Sequence, residues 1–215
     1  MWRSWNLCWA EVMSDDTEKL GSREPEGGAA VPSHDVLGMP KLSEGETRIV
    51  ECMMGYCGLG MGREALREMA KLSQETLAHP YLLEIRVMAL IQARRMREAA
   101  AKGKRLIRMV PGYKGGYIHT SFALHETGRT QEALDLLRSG PPVLKQDATY
   151  FYNVACYEAV LGNAESAVRN LSRSFRLDKR LRDGALDDRD LAAIRQHVEA
   201  LLKPTGSDGN SNGLC

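Results

Sequence analysis

Ala65, Ala99, Ala133 and Ala167 stand 34 residues apart, four in succession, and no other feature constrains the fold as tightly. A fixed spacing of about 20 to 50 residues is the mark of a stacked-repeat architecture, and about 34 is the length of one helix–turn–helix unit. In such a unit the second helix comes close to the first, so only a small side chain fits at the contact. The register puts units at 46–79, 80–113, 114–147 and 148–181. Its turn column reads Gly60, Arg94, Gly128 and Gly162, and glycine is the residue that best ends a helix in a left-handed conformation. The eighth column reads Met53, Val87, Ser121 and Ala155, and the eleventh Tyr56, Leu90, Leu124 and Glu158. Mostly small or apolar residues in these and the neighbouring columns give both helices an apolar stripe, as two packed amphipathic helices require.

The best single copy is Ala148 to Arg180, "ATYFYNVACYEAVLGNAESAVRNLSRSFRLDKR", with Ala155, Gly162, Ala167 and Leu171 in the small, turn, close-packing and apolar positions. The copy "KGGYIHTSFALHETGRTQEALDLL" carries Tyr117 and the Gly128…Ala133 pair. The copy from Pro80 keeps Leu90, Ala99 and a closing Pro111. The copy from Glu46 is the most degenerate, with Gly55, Gly58, Gly60 and Gly62 crowded at its turn. On these residues the stretch 46–180 resembles the tetratricopeptide repeat (TPR) family. The resemblance implies an all-α, right-handed helix–turn–helix solenoid of about four units over 45–182, whose concave face holds a protein or peptide. One departure is Gly140-Pro141-Pro142. Interior proline costs about 3 kcal/mol in a helix, so the second helix of the third unit is expected to end near Ser139.

Composition agrees. The chain has 215 residues and a hydrophobic fraction of 43%, enough for a continuous core in one or two domains. Net charge is +1, so no global field selects nucleic acid. Five scattered cysteines argue against a disulfide framework and for a reducing, cytoplasmic setting. No stretch approaches the roughly 18 apolar residues of a membrane span.

The ends differ from the middle. Trp2, Trp5 and Trp9 lie at spacings that could share one helical face. Two readings stay open: an upstream start with the natural chain beginning at Met13, or a short helix docking on the repeats. The stretch 14–45 is rich in Ser, Asp, Glu, Gly and Pro, and a disordered arm is expected over 1–44. Over 183–204, Asp187 or Asp188 is placed to cap a helix, with Asp190 in its first turn. Leu191, Ile194, Val198 and Leu201 form one apolar stripe, and Pro204 closes it. A repeat stack needs such a terminal cap, and a capping helix is expected here. The Asp-Leu segment before it also resembles the ending of many bacterial repeat proteins. Residues 205–215 read as a flexible tail.

In the resembling family the first helix of each unit lines the concave groove. Carried onto this sequence, the groove positions are Val50, Met54, Tyr81, Glu84, Met88, Ile118, Phe122, His125, Tyr152 and Cys156, an apolar surface bearing Met and aromatics. Methionine suits surfaces that accept varied apolar side chains, and a helix or an extended segment fits such a groove. The alternatives are self-occlusion by the chain's own N-terminal segment, or burial as plain core. The family's two-carboxylate clamp is not reproduced. One register gives Val50, Met54, Ile85, Gly115 and His119, the next Glu84, Met88, His119, Thr149 and Asn153. Neither supplies the Lys/Asn/Arg set that holds two carboxylates.

A basic run (Arg94, Arg95, Arg97, Lys102, Lys104, Arg105, Arg108 and Lys114) falls mostly on a second helix, hence the convex side. Such clusters bind phosphate backbones by counterion release, but no aromatics interleave to stack bases, and a solvated face is the simpler reading. Cys52 and Cys57 are about 140° apart round one helix and do not readily share a metal. His119 and His125 have only Glu126 as a nearby carboxylate in sequence. Gly58, Gly60 and Gly62 lack the preceding strand and following Lys-Ser/Thr of a phosphate loop. No catalytic set, cofactor site or metal site is expected. The sequence therefore reads as a non-catalytic scaffold or adaptor, the runner-up being a nucleic-acid-associated regulator using the basic convex face.

Overall fold

In the computed structural model of the chain, residues 37–38 and 40–203 are described; the expected disordered arm, apart from its last residues, and the tail lie outside them. Helix α1 (Glu44–Gly58) and α2 (Gly62–Met69) form the first hairpin, followed by the short α3 (Gln74–Ala78). Then come α4 (Pro80–Gln92) with α5 (Met96–Met109), α6 (Lys114–His125) with α7 (Thr130–Arg138), and α8 (Ala148–Val160) with α9 (Ala164–Leu177). No strand occurs among the described residues.

The four hairpin turns share one geometry. Gly60, Arg94, Gly128 and Gly162 adopt φ of 72°, 60°, 80° and 84°. At each, the amide of the next residue donates five residues back. Met61 bonds the Tyr56 carbonyl at 2.8 Å, Arg95 that of Leu90 at 2.8 Å, Arg129 that of Leu124 at 3.1 Å, and Asn163 that of Glu158 at 2.8 Å. This paired-carbonyl closure with a left-handed residue is the Schellman ending. Arg94 is the one non-glycine at positive φ among the described residues. Several helix starts are capped from the sequence as well. Ser43 and Glu46 make a reciprocal capping box on α1, Pro80 opens α4, and the Asp147 carboxylate accepts from the Thr149 and Tyr150 amides of α8.

Packing follows the repeat. Ala65, Ala99, Ala133 and Ala167 are all fully buried, the contact points that the spacing implied. At Gly62 a Cβ would collide with the backbone of Ala89, and at Gly103 with the Thr120 hydroxyl, so neighbouring helices approach closely at both. Each first helix packs on its own second helix and on the next first helix, α4 on α5 and α6, α6 on α7 and α8, α8 on α9. Second helices are amphipathic. In α5, Ala99, Ala100, Gly103 and Leu106 are buried while Arg97, Arg105 and Arg108 are exposed. Helix α7 ends at Arg138 with Ser139 as its cap, and a 3-10 turn, Pro142–Gln146, leads to α8.

The C-terminal end departs from the expected helix over 183–204. Only Arg195–Leu202 is α-helical (α10). Before it the chain makes 3-10 turns at Lys179–Arg182, Ala185–Asp187 and Arg189–Ile194, with Gly184 at φ 82°. The Asp188 side chain caps the third of these turns by accepting from the Asp190 amide. A regular helix would turn Asp188 and Asp190 away from the partners they reach on α6 and α8, so the segment lies across the repeats as a strap. Leu191, Ile194 and Val198 are still buried against the last unit, the covering role the apolar stripe implied.

Candidate binding groove

The ten groove positions all lie on first helices, α1, α4, α6 and α8. Nine are buried, and only Met54 is partly open. They fall into two apolar halves. Val50 and Tyr81 belong to the first-unit core with Met53, Leu82 and Ile85, and Met54 packs at its margin. The Tyr81 hydroxyl donates to Met54 Sδ at 3.3 Å. Ile118, Phe122, Tyr152 and Cys156 belong to the second core, with Leu191 and Ile194 of the strap. Between the halves sits a polar pair: His119 Nδ1 lies 2.7 Å from Glu84 Oε1, and the Tyr113 hydroxyl donates to the same Glu84 oxygen at 3.3 Å. Met88 is 2% exposed and lies in neither core cluster.

The fourth-unit end is closed by the chain itself. Tyr152 donates to Asp188 Oδ2 at 3.0 Å. His125 places Nε2 3.2 Å from Asp190 Oδ2 and Nδ1 3.0 Å from Thr130 Oγ1, and its ring stacks on Tyr157 with centroids 4.7 Å apart. Burial first, and then the neighbouring Cys156 and Asp188 groups, push the Tyr152 phenol up. It remains a proton donor to the carboxylate. Cys156, Asp188 and Asp190 bring ligand-type atoms within 4.8 Å of one another. Those carboxylates already accept from Tyr152, from the Asp190 amide and at the His125 ring. The Cys156 thiol is raised by burial first and by Asp188 and Asp190 next, which keeps it protonated and a poor metal ligand. The arrangement is a clasp between strap and repeats.

Sequence reasoning missed this clasp, and it also missed the carboxylates facing the two histidines. His119 meets Glu84 and His125 meets Asp190, partners from other units, so neither depends on Glu126. Glu126 is engaged elsewhere, accepting Arg94 on Oε2 at 3.1 Å and Arg189 on Oε1 at 2.8 Å. The run "LDDRD" signalled capping carboxylates, and Asp188 does cap; nothing local announced its reach of 36 residues back to Tyr152.

Half of the basic run is paired with acids, two of them in the next unit. Arg94 pairs with Glu126, Arg95 with Glu98, Lys104 with Glu132 and Lys114 with Asp147. These pairs break up the convex cationic surface that phosphate binding would need. Cys52 is exposed and Cys57 buried, on different sides of α1.

The arrangement of helical hairpins is matched by solved structures. TTC0263, a thermophilic TPR protein of Thermus thermophilus, superposes with a TM-score of 0.61 at 20% identity, covering 73% of this chain and 87% of that one. The chain has the tetratricopeptide-repeat fold. MamA of Desulfovibrio magneticus RS-1, from residue 41 to its end, superposes with a TM-score of 0.57 at 15% identity, over 75% of this chain and 95% of that one. A MamA RS-1 double mutant gives 0.58 at 15%, over 75% and 96%. No protein-family model and no curated protein matches the sequence. Among the described residues no helix is long and apolar enough to cross a membrane.

Proposed function

We propose that this tetratricopeptide-repeat chain is a non-catalytic, cytoplasmic adaptor that holds a peptide or a partner helix along the concave side of its first three units. The binding surface runs over Val50, Met54, Tyr81, Glu84, Met88, Ile118 and Phe122, and the strap closes it at His125, Tyr152 and Cys156. The observation that carries this reading is the make-up of that side. It is apolar, methionine- and aromatic-bearing, and interrupted by a single buried polar pair, Glu84 with His119. An amphipathic helix lays its apolar face into grooves of this kind, and aromatic anchors there tend to dominate affinity.

The test is affinity recovery from cell extract with the full chain. Met88→Ala together with Phe122→Ala is expected to abolish recovery of the partner while helicity is retained. The double reversal Arg105→Glu with Arg108→Glu should leave recovery unchanged. If the charge reversals remove the partner and the apolar truncations do not, the groove reading fails.

A further inference from the structure

We infer that the partner segment taken by this groove is apolar with one cation, a lysine or arginine whose charge lands on Glu84. This deepens the adaptor reading and rests on the same groove.

The first ground is the state of Glu84 itself. It is the one acid among the ten groove positions, and it is 1% exposed. Its two carboxylate oxygens are served unequally. Oε1 lies 2.7 Å from His119 Nδ1 and accepts from the Tyr113 hydroxyl at 3.3 Å. Oε2 is buried and accepts from nothing. A buried carboxylate oxygen without a donor is costly, and folded proteins leave few of them. The imidazole does not remove that cost, because it reaches one oxygen and leaves the other bare. Among the described residues no lysine or arginine pairs with Glu84. The acid is therefore one half of an ion pair, and the other half is a cation brought by the partner.

The second ground is placement. Tyr81 lies three residues before Glu84 on α4 and Met88 four residues after it, so all three share one face. In the next unit Ile118 holds the register of Glu84, and Phe122 that of Met88. The carboxylate thus stands in an apolar frame drawn from both units, and His119 of α6 ties it to the second. In surroundings of low polarity a matched charge pair is stronger than in water, and an unmatched charge is penalised for the same reason.

A partner helix that lays apolar side chains on Met88 and Phe122 brings one side chain of that face onto Glu84. An ammonium or guanidinium there donates to Oε2 and cancels its charge. An apolar side chain would leave the oxygen bare, and an acidic one would add repulsion. The same carboxylate that favours a cationic segment therefore rejects plain apolar and acidic ones. Oε2 is out of reach of water in this structure, so a partner has to part the groove to reach it, and only the cationic segment offsets that opening with an ion pair.

Four helical probe peptides of leucine and alanine test this, identical except for a central lysine, glutamine, norleucine or glutamate. They are titrated against the full chain by fluorescence anisotropy. The lysine probe should bind at least about tenfold more tightly than the norleucine and glutamine probes, and the glutamate probe most weakly. Glu84→Gln should erase the preference for lysine. A benzophenone side chain one turn from the lysine of the probe should crosslink to Met88 of the unmutated chain. If Glu84→Gln loses its helical circular dichroism, the preference of the unmutated chain and that crosslink decide together. A norleucine or glutamine probe that binds as tightly as the lysine probe overturns the inference and keeps the adaptor groove. So does a lysine preference that survives in folded Glu84→Gln, or a crosslink to the second helices alone. Failure of all four probes to bind sinks the inference and the adaptor reading together.

Discussion

His125 and Asp190 meet at 3.2 Å across 65 residues of sequence, and both are buried. The contact joins the end of α6 to a strap that arrives after the last repeat. With Tyr152 and Asp188 it forms a polar clasp inside an otherwise apolar interface, where every unpartnered group would be costly.

Breaking the clasp from either side should therefore destabilise the fold. Asp190→Ala leaves His125 without its carboxylate, and Tyr152→Phe leaves Asp188 short of a donor; each is expected to cost about 1–3 kcal/mol. Urea unfolding of both single variants and of the double variant measures this. Strict additivity would show that the two contacts do not act as one clasp.

Arg94 occupies a turn position that glycine fills in the other three units, at φ 60°. A non-glycine residue there costs roughly 1–2 kcal/mol, and the arginine is offset by its pair with Glu126, whose side chain is 4% exposed. Both Arg94→Gly and Arg94→Ala lose the pair and only alanine keeps the strain, so the glycine variant should be the more stable of the two in thermal unfolding. An alanine variant as stable as the glycine one would refute the strain.

Gly62 and Gly103 should respond differently to alanine. At Gly62 the added methyl meets the Ala89 backbone, which cannot move aside, whereas at Gly103 it meets the Thr120 side chain. Gly62→Ala is expected to cost at least the roughly 1–3 kcal/mol typical of overpacking, with no side-chain remedy. Gly103→Ala should be restored, at least in part, by Thr120→Ala. Denaturant midpoints of the three variants decide it.

Thiol chemistry offers a check of the described core. Burial raises the Cys57 thiol to about 12, so almost no thiolate exists at neutral pH, and Cys156 is fully buried. Mass spectrometry after brief alkylation of the native protein should find Cys52 modified and Cys57 and Cys156 intact. Modification of Cys57 at the rate of Cys52 would contradict the placement of α1.

The acid limb of stability should carry the mark of Glu46. Its carboxyl is held down at about 2 from 4.5, chiefly by the Thr76 hydroxyl and then by the Ser43 backbone and side chain. A depressed pKa favours the folded state above the unfolded value, and the gain is lost as pH falls from about 4.5 toward about 2. The stability gap between the native chain and Glu46→Gln should accordingly be full at about pH 6 and closed near about pH 2. A gap that persists at the acid end would mean that the carboxylate charge is not its source.

The repeat was legible because its determinants are local in the period. A small residue at the hairpin contact and a glycine at the turn recur by position, and both columns hold in three dimensions. The early stop of α7 was legible for the same reason, since proline acts on its own helix. The clasp was not, because Asp188 and Asp190 look like ordinary capping residues, and their partners lie outside the repeat period. Nor did the sequence distinguish an exposed groove face from core: Met88 and Phe122 read alike in either place, and both are buried. The basic run looked like a surface because its pairing acids lie far along the chain, Glu126 and Glu132 in the following unit and Asp147 at the far end of the unit that Lys114 opens.

Arg94 and Arg189 grip opposite oxygens of the Glu126 carboxylate. In a plain solenoid each unit answers only to its neighbours and the ends fray first. Here the turn of the second unit, the end of α6 and the strap beyond the fourth unit are stitched at one point. Peeling from the C-terminal side has to undo that stitch before any repeat comes loose, so units two to four should give way together under force or heat, and the first unit should unravel alone and early.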